Sequence, residues 1–328
     1  MRRAACRPRV SPHPRRATLS NSLSRVPAHV DRRSVWRVLA GVGMAASLVA
    51  ISGCSTVGLL NAVSASPSVA VTRDIAYGAD PRQKLDVYTP TTPAPGRPVV
   101  VFFYGGSWDS GSKHDYEFVG QALAAQGYVA MVPDYRVYPQ VVWPAFLEDS
   151  ASAVRWARDH AAAYGGAPSR LVLMGHSAGA YNAVDLAVDG RWLRAAGVDP
   201  ARDIAAVVGL SGPYDFLPVR TAELQTIFGP EASRPDTQPI NHVDGHAAPM
   251  LLITGDKDTT VDPGNSDRMA ARVRAAGGQV EVIHYPKLTH PTTVAALAGA
   301  LHFLGPVMRD VSVFIDKQTG WAPPPAGR

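Results

Sequence analysis

A serine flanked by glycines, in the pentapeptide Gly-His-Ser-Ala-Gly at 175–179, is the strongest sign of covalent chemistry in this sequence. The apolar run at 171–174 predicts a buried strand before it, and residues 180–188 predict a helix after it. A serine on such a turn is held in a strained backbone conformation that exposes its hydroxyl, and the glycines remove side chains that would clash there. The pattern predicts that Ser177 is a nucleophile. Its neighbour His176 is expected to pack against the sheet edge.

A serine nucleophile needs two partners, because its hydroxyl is weakly reactive at neutral pH. A histidine must take its proton, and a carboxylate must fix the tautomer of the imidazole. In a parallel sheet such residues follow the carboxyl ends of strands, and two late strands are predicted at 250–254 and 279–284. The candidates at or just past these strand ends are the acids Asp256, Asp258 and Asp262 and the histidines His284 and His290.

The elements that would position these residues alternate along the chain. Segments at 69–72 and 84–88, on either side of a turn, predict an antiparallel edge. The wholly apolar run at 99–104 is typical of a parallel strand that is covered on both faces. Further strands are predicted at 128–132, 170–174, 204–210, 250–254 and 279–284, and helices at 116–126, 145–164, 180–188, 265–276 and 292–304. This alternation indicates a mostly parallel sheet with helices on both faces, interrupted at 211–248 by a predicted cap or substrate-lining loops.

Composition divides the chain into a leader, a tether, a domain and a tail. Residues 1–54 are predicted to be a basic leader with a signal peptide, 55–68 a tether, 69–315 one catalytic domain and 316–328 a flexible tail. Ten arginines and one acid fall in residues 1–37, which leaves 22 basic and 26 acidic side chains elsewhere. The formal charge of +5 therefore belongs to the leader, and the domain gives no basic argument for nucleic-acid binding.

An apolar run at 38–50 follows the basic leader and is shorter than the roughly 20 residues that span a bilayer, which favours a signal-peptide core. The next four residues, Ile-Ser-Gly-Cys at 51–54, resemble the bacterial lipoprotein box, in which cleavage leaves the cysteine N-terminal and acylated. The sequence thus predicts a lipid anchor at Cys54 and a bacterial cell-envelope location, lipid-anchored or secreted. An uncleaved signal anchor and a simple secretory peptide are the alternatives. Since Cys6 is the only other cysteine, no disulfide forms within the domain.

Five motifs, in the same order along the chain, resemble those of the α/β-hydrolases. The branch concerned carries His-Gly-Gly-x-Trp and includes carboxylesterases, feruloyl-esterase-like and kynurenine-formamidase-like proteins. The resemblance runs from about Asp74 to Leu304. It rests on Lys84–Tyr88, Gly105–Trp108, Pro133–Arg136, Gly175–Gly179 and Gly255–Val261. It implies an α/β-hydrolase fold, with a mostly parallel central sheet and helices on both faces.

The resemblance also selects among the candidate site residues. The family's triad runs serine, acid, histidine along the chain. Asp258, three residues after a strand-ending glycine, matches the family's acid position better than Asp256 does, and His290 lies in the loop that carries the family's base. By the same likeness, the oxyanion of the reaction would be bound by the backbone N–H groups of Gly105, Gly106 and Ala178.

One position departs from the family pattern, because Tyr104 stands where this branch usually has histidine. That histidine generally shapes the oxyanion loop, so activity is expected to survive with an altered acyl preference. The segment Asp134–Arg136 is expected to be a structural element beside that loop. Candidates for an apolar acyl or aryl pocket are Trp108, Trp143 and Phe216.

The function that the resemblance implies is hydrolysis of carboxylic esters by a serine hydrolase, through an acyl-enzyme. Its partners would be a small-molecule ester and, through the anchor, a membrane. Two alternatives stand beside it: amide hydrolysis by an arylformamidase or peptidase with the same triad, and a non-catalytic envelope binding protein on a hydrolase fold. The sequence contains no Cys/His cluster with metal-ligand spacing and no phosphate-binding glycine motif, so no metal or organic cofactor is implied. The oligomeric state stays open.

Overall fold

The computed structural model describes residues 56–322, and this part of the chain is built around one central β-sheet. Its eight strands within that range are β1 (Val69–Ala76), β2 (Lys84–Pro90), β3 (Arg97–Phe103), β4 (Val129–Pro133), β5 (Gly166–His176), β6 (Ile204–Leu210), β7 (Met250–Gly255) and β8 (Val280–Tyr285). They lie in the order β1-β2-β4-β3-β5-β6-β7-β8. The β1–β2 and β2–β4 pairs are antiparallel and all other pairs are parallel, which confirms the mostly parallel sheet with an antiparallel edge.

Helices connect most of these strands. In the described range the α-helices are α1 (Thr56–Ser64), α2 (Glu117–Ala125), α3 (Ala145–His160), α4 (Ala178–Val188), α5 (Arg191–Ala195), α6 (Pro200–Asp203), α7 (Ala222–Ile227), α8 (Gly264–Ala275), α9 (His290–Ala295) and α10 (Val307–Thr319). Short 3-10 helices occur at Lys113–Tyr116, Ala161–Tyr164, Glu231–Thr237, Pro239–His242 and Gly299–Leu304. None of the helices in this part of the chain is both long and apolar enough to cross a membrane.

The sheet is covered on both faces, as the apolar run at 99–104 predicts. Every residue of β3 is buried, and successive side chains of a strand point to opposite faces. Strands β3, β5, β7 and β8 are parallel members of one sheet, so their carboxyl ends meet at the same edge. The glycine pair at 105–106, the serine turn and the loops after β7 and β8 all leave from that edge, where ligands of open α/β sheets bind.

The two ends of the described range differ from the predictions. Residues 56–64, predicted as part of a tether at 55–68, form α1, and Asn61 anchors this helix by bonding to the carbonyl of His114 and the N–H of Phe118. The predicted helix at 292–304 is wrong: α9 ends at Ala295, and the backbone is extended at Ala298 before a 3-10 turn. A further helix, α10, runs from 307 to 319, so the domain extends past residue 315 into the predicted tail. The predicted leader and signal peptide at 1–54, with Cys54, lie outside the described residues.

The buried carboxylate of Asp149 ties the segment after β4 to α3. Its two oxygens accept hydrogen bonds from the guanidinium of Arg136 at 2.7 and 2.8 Å, and one also accepts from the Arg136 backbone N–H at 2.9 Å. The side-chain amide of Gln83, in the turn before β2, donates to Asp149 at 2.6 Å. The Asp134–Arg136 segment is thus structural, as expected, and its arginine pairs with Asp149.

Replacing this carboxylate is expected to destabilise the domain. Asp149→Ala leaves four N–H donors without their acceptor, and loss of one partner of a buried ion pair costs about 3 kcal/mol. Urea denaturation measures the free energy of unfolding. Asp159→Ala, which removes a half-exposed carboxylate on the same helix that pairs with Arg155 and Arg158, should cost less than about 1 kcal/mol. Equal losses in the two variants would contradict this account.

Candidate active site

The serine turn between β5 and α4 has no room for side chains at its two glycines. Ser177 has φ +55° and ψ −123°, a conformation that costs energy for a residue with a side chain. A Cβ on Gly175 would lie 2.1 Å from the carbonyl oxygen of Gly179, and one on Gly179 would lie 2.1 Å from that of Phe103. The N–H of Ser177 donates to the carbonyl of Leu210 at 2.9 Å. The turn therefore packs directly against the ends of β3 and β6.

Ser177, His290 and Asp258 form one chain of hydrogen bonds. Nε2 of His290 lies 2.8 Å from Oγ of Ser177, and Nδ1 lies 2.7 Å from Oδ2 of Asp258. The other carboxylate oxygen, Oδ1, accepts from the backbone N–H groups of Thr260 and Val261, each at 2.9 Å. The structure thus brings the three residues that the sequence selected into contact.

The carboxylate at position 258 is stabilised in its charged form. Burial alone would raise its pKa, but the hydrogen bonds from His290 and from the N–H groups of Val261 and Thr260 lower the pKa of Asp258 below its ordinary value. An ionised Asp258 accepts the Nδ1–H of His290, which leaves Nε2 facing Ser177 as the lone-pair nitrogen. A capping box between Thr289 and Thr292 fixes the start of α9 and hence the position of His290.

The other candidate triad residues, Asp256, Asp262 and His284, form contacts away from the serine. Asp256 lies 2.7 Å from Nδ1 of His284, whose other ring nitrogen is 3.1 Å from Asp267. Asp262 accepts from the N–H of Gly264 at 3.1 Å and from the guanidinium of Arg268 at 3.0 Å. These contacts join β8, α8 and their loops, and they leave Asp258 and His290 at the serine.

His176, the residue before the serine, is buried behind the triad. Its Nε2 lies 3.1 Å from the backbone oxygen of His290, and its Nδ1 lies 3.4 Å from the phenol oxygen of Tyr116. Burial, together with the nearby His290, lowers the pKa of His176 to about 3. The ring is therefore neutral at physiological pH, and it lies beneath the site at the end of β5.

The glycine pair after β3 lies against the serine. A Cβ on Gly105 would lie 2.9 Å from Cβ of Ser177, so the two residues are in direct contact. The N–H of Gly105 interacts with the phenol oxygen of Tyr116, where it opposes the rise in pKa caused by burial. Gly106 has φ +139°, a value that favours glycine. Ala178 is the first residue of α4, and its N–H has no carbonyl partner within that helix.

Tyr104 supports this loop from below. Its ring is fully buried and stacks on Tyr135 with a centroid separation of 4.8 Å. Its phenol oxygen accepts from Arg82 at 3.0 Å, and the same guanidinium donates to the carbonyls of Gly111 at 2.6 Å and Tyr135 at 2.7 Å. Arg82 thus ties the start and the end of the loop together. It lies in the turn before β2, and no motif in the sequence singles it out.

Two cavities flank the serine turn. The first, of about 450 Å³, is lined by Ser177 itself together with Trp108, Phe216 and Arg268; we call it the serine cavity. The second, of about 620 Å³, borders Gly105, Gly106 and His176 on the other side of the loop; we call it the apolar groove. Two of the predicted pocket residues, Trp108 and Phe216, line the serine cavity, whereas Trp143 packs against Trp192. Tyr104 lines neither cavity, so it can affect substrate preference only through the position of the loop.

The buried neutral His176 predicts a specific pH dependence of stability. The unfolded chain binds a proton at this histidine near pH 6.5, whereas the folded chain does so only near pH 3. Between these values the unfolded state holds more protons, so stability falls as the pH is lowered. From pH 7 to pH 5 the native protein should lose about 2 kcal/mol more than His176→Gln does. Denaturant unfolding at the two pH values measures this, with the exposed His302→Gln as control; identical pH slopes for the native protein and His176→Gln would refute the assignment.

Comparison with known proteins places this geometry in a family. The model of the BD-FAE family matches residues 85–273. The probable isoprenylcysteine alpha-carbonyl methylesterase ICMEL1 of Arabidopsis thaliana is 30% identical over 67% of this chain and 51% of its own length. Esterase LipC of Mycobacterium tuberculosis is 31% identical over 75% of this chain and 64% of its own length. The chain therefore spans between half and two thirds of these curated relatives.

Solved structures share the fold. Esterase B from Lactobacillus Rhamnosis aligns with a TM-score of 0.67 at 21% identity, over 85% of this chain and 95% of that one. A truncated carbohydrate esterase from gut microbiota aligns with a TM-score of 0.67 at 20% identity, over 78% of this chain and 99% of that one. Because the family model covers more than half of the sequence, including the serine turn and Asp258, the chain belongs to the BD-FAE family, in the esterase branch of the α/β-hydrolases.

Proposed function

We propose that this protein hydrolyses carboxylic esters through a covalent acyl-enzyme on Ser177. The observation that carries the proposal is the unbroken hydrogen-bonded chain from Asp258 through His290 to Ser177, with distances of 2.7 and 2.8 Å. These are the separations over which a base can take a proton from a hydroxyl. The serine hydroxyl opens into a cavity of about 450 Å³, a size that suits a small-molecule substrate.

The reaction divides into two displacements. Oγ of Ser177 attacks the ester carbonyl while its proton passes to Nε2 of His290, and the tetrahedral intermediate then expels the alcohol, which takes that proton. Water attacks the resulting acyl-enzyme with His290 again as base, and the acid leaves as Ser177 regains its proton. Asp258 remains ionised throughout and stabilises the imidazolium that forms twice in each cycle.

The oxyanion of each intermediate would be bound by backbone N–H groups. Gly105, Gly106 and Ala178 are the proposed donors, and Ala178 adds the positive end of the α4 dipole. The close approach of Gly105 to the Cβ of Ser177 favours glycine there, because a larger residue would push the loop away from the nucleophile.

The names of the relatives favour esters over amides. Both curated relatives described above are called esterases, and one is named for a methyl ester of a prenylated cysteine. The two aligned structures are also titled esterases. None of these four names points to a formamidase, a peptidase or a non-catalytic protein.

Substitutions in the triad should abolish turnover of p-nitrophenyl acetate. Ser177→Ala removes the nucleophile, and Asp258→Asn removes the acceptor that holds His290 in the productive tautomer, so kcat should fall about 10⁴-fold or more in each. Asp256→Asn is the matched control, since that carboxylate pairs with His284 at 2.7 Å, and it should keep kcat within about threefold because it lies outside the triad. Native turnover in Ser177→Ala, or equal damage from the two aspartate variants, would contradict the assignment.

We also propose that the protein is attached to the bacterial cell envelope by a lipid on Cys54. The proposal rests on the basic leader, the apolar run at 38–50 and the Ile-Ser-Gly-Cys sequence at 51–54. The ester substrate would then be met outside the cytoplasm.

Cys54→Ser should release the protein from membranes. Full-length protein expressed in a bacterium is expected to sediment with the membrane fraction and to have an acylated Cys54 as its mature N-terminus. The serine variant removes the acylation site, so it should lose both the lipid mass and the sedimentation, while Cys6→Ser should behave as the native chain does. Membrane attachment that is unchanged in Cys54→Ser would exclude a lipid on this residue.

A further inference from the structure

The apolar groove is walled by hydrophobic side chains from three separate parts of the chain. Its described lining includes Val57, Leu60 and Val63 of α1, Val294 and Ala295 of α9, and Leu301 of the following 3-10 turn. Asp115 is the one carboxylate among the described lining residues. With a volume of about 620 Å³, the groove lies within the range of small-molecule sites. It could hold a hydrocarbon chain or an aromatic group, and it offers little to a polar one.

This groove adjoins the proposed catalytic machinery. It ends at Gly105, Gly106 and His176, and it is bordered by Pro291, the residue after His290. A Cβ on Gly105 would lie only 2.9 Å from Cβ of Ser177. A group seated in the groove therefore lies next to the oxyanion loop, on the side opposite the serine cavity.

The roof of the groove is α1, and polar contacts tie it and the residues after it to residues 114–121. The Asn61 side chain donates to the carbonyl of His114 at 2.8 Å and accepts from the N–H of Phe118 at 3.0 Å. The N–H of Ser66 donates to Gln121 at 3.3 Å. Two apolar residues of α1 that face the groove, Val57 and Val63, remain 38% and 55% exposed. Apolar side chains left exposed beside a cavity are typical of a binding surface.

We propose that the apolar groove binds a hydrocarbon arm of the ester substrate, with α1 as its roof, and that the serine cavity receives the other arm. The inference rests on the proposed esterase function. The serine cavity contains Arg268, Asp215 and Arg220 beside Trp108 and Phe216, so it suits a shorter or more polar arm. The substrate class is thus an ester with one long apolar arm and one smaller arm.

Two series of esters test this assignment in the full-length protein. One is p-nitrophenyl esters from acetate to decanoate, which lengthens the acyl arm, and the other is acetates of alcohols from methanol to decanol. Each methylene that moves from water into the groove is worth about fourfold in kcat/KM. In one of the two series the native protein should therefore gain at least about tenfold between two and eight carbons.

The variant Ala295→Phe places a ring inside the groove, away from Ser177. It should reduce the long-to-short ratio of kcat/KM at least about tenfold, since the contacts of the long arm are lost. The matched control, Ala222→Phe, adds the same ring on exposed α7, where Ala222 lines neither cavity, and it should keep the native ratio.

Val57→Asp covers the case in which Ala295→Phe fails to fold. Val57 is already 38% exposed, and a charge there should likewise lower the long-to-short ratio of kcat/KM. Loss of the two-carbon activity in the native protein itself would be a failure of the proposed function. An active native protein without chain-length preference in either series, or variants with the native ratio, would overturn the groove assignment alone.

Discussion

The close approach of the serine turn to the end of β3 is the constraint on which the site depends. At Gly179 the first turn of α4 comes so near the carbonyls of Phe103 and Tyr104 that a Cβ would lie 2.1 and 2.4 Å from them. This contact places Ser177 beside the loop that follows β3, and it places the N-terminus of α4 where an oxyanion would form. Both consequences depend on Gly179, because only a residue without a side chain allows this close approach.

Other residues hold the loop after β3 in place beside the serine turn. Arg82 joins the two ends of the loop, and Tyr104 fills the space beneath it, stacked between Tyr135 and Tyr116. A histidine at position 104 would be smaller than this tyrosine and would form a different contact with Arg82. The tyrosine thus belongs to the scaffold of the loop, which explains how a departure from the family pattern is compatible with an intact triad geometry.

The features that could be predicted from the sequence are those with local causes. The serine turn follows from glycine spacing between a strand and a helix, and the sheet follows from apolar runs such as 99–104. The choice of Asp258 over Asp256 needed the family resemblance, since both follow the same strand; in the structure Asp256 turns to His284 instead. Arg82 and α1 were missed because their roles depend on contacts with residues more than 20 positions away, namely Tyr104 for Arg82 and His114 for Asn61. Such long-range contacts leave no periodicity or motif in the sequence.

The central claim is that Ser177 carries the acyl group, and trapping that intermediate tests it most directly. The native protein is mixed with p-nitrophenyl acetate, quenched in acid within the first turnover and digested for peptide mass mapping. The account predicts a burst of p-nitrophenol equal to the enzyme concentration and one acetyl group on Ser177. Hydrolysis with no acetylated peptide, or with the acetyl group on another residue, would contradict it.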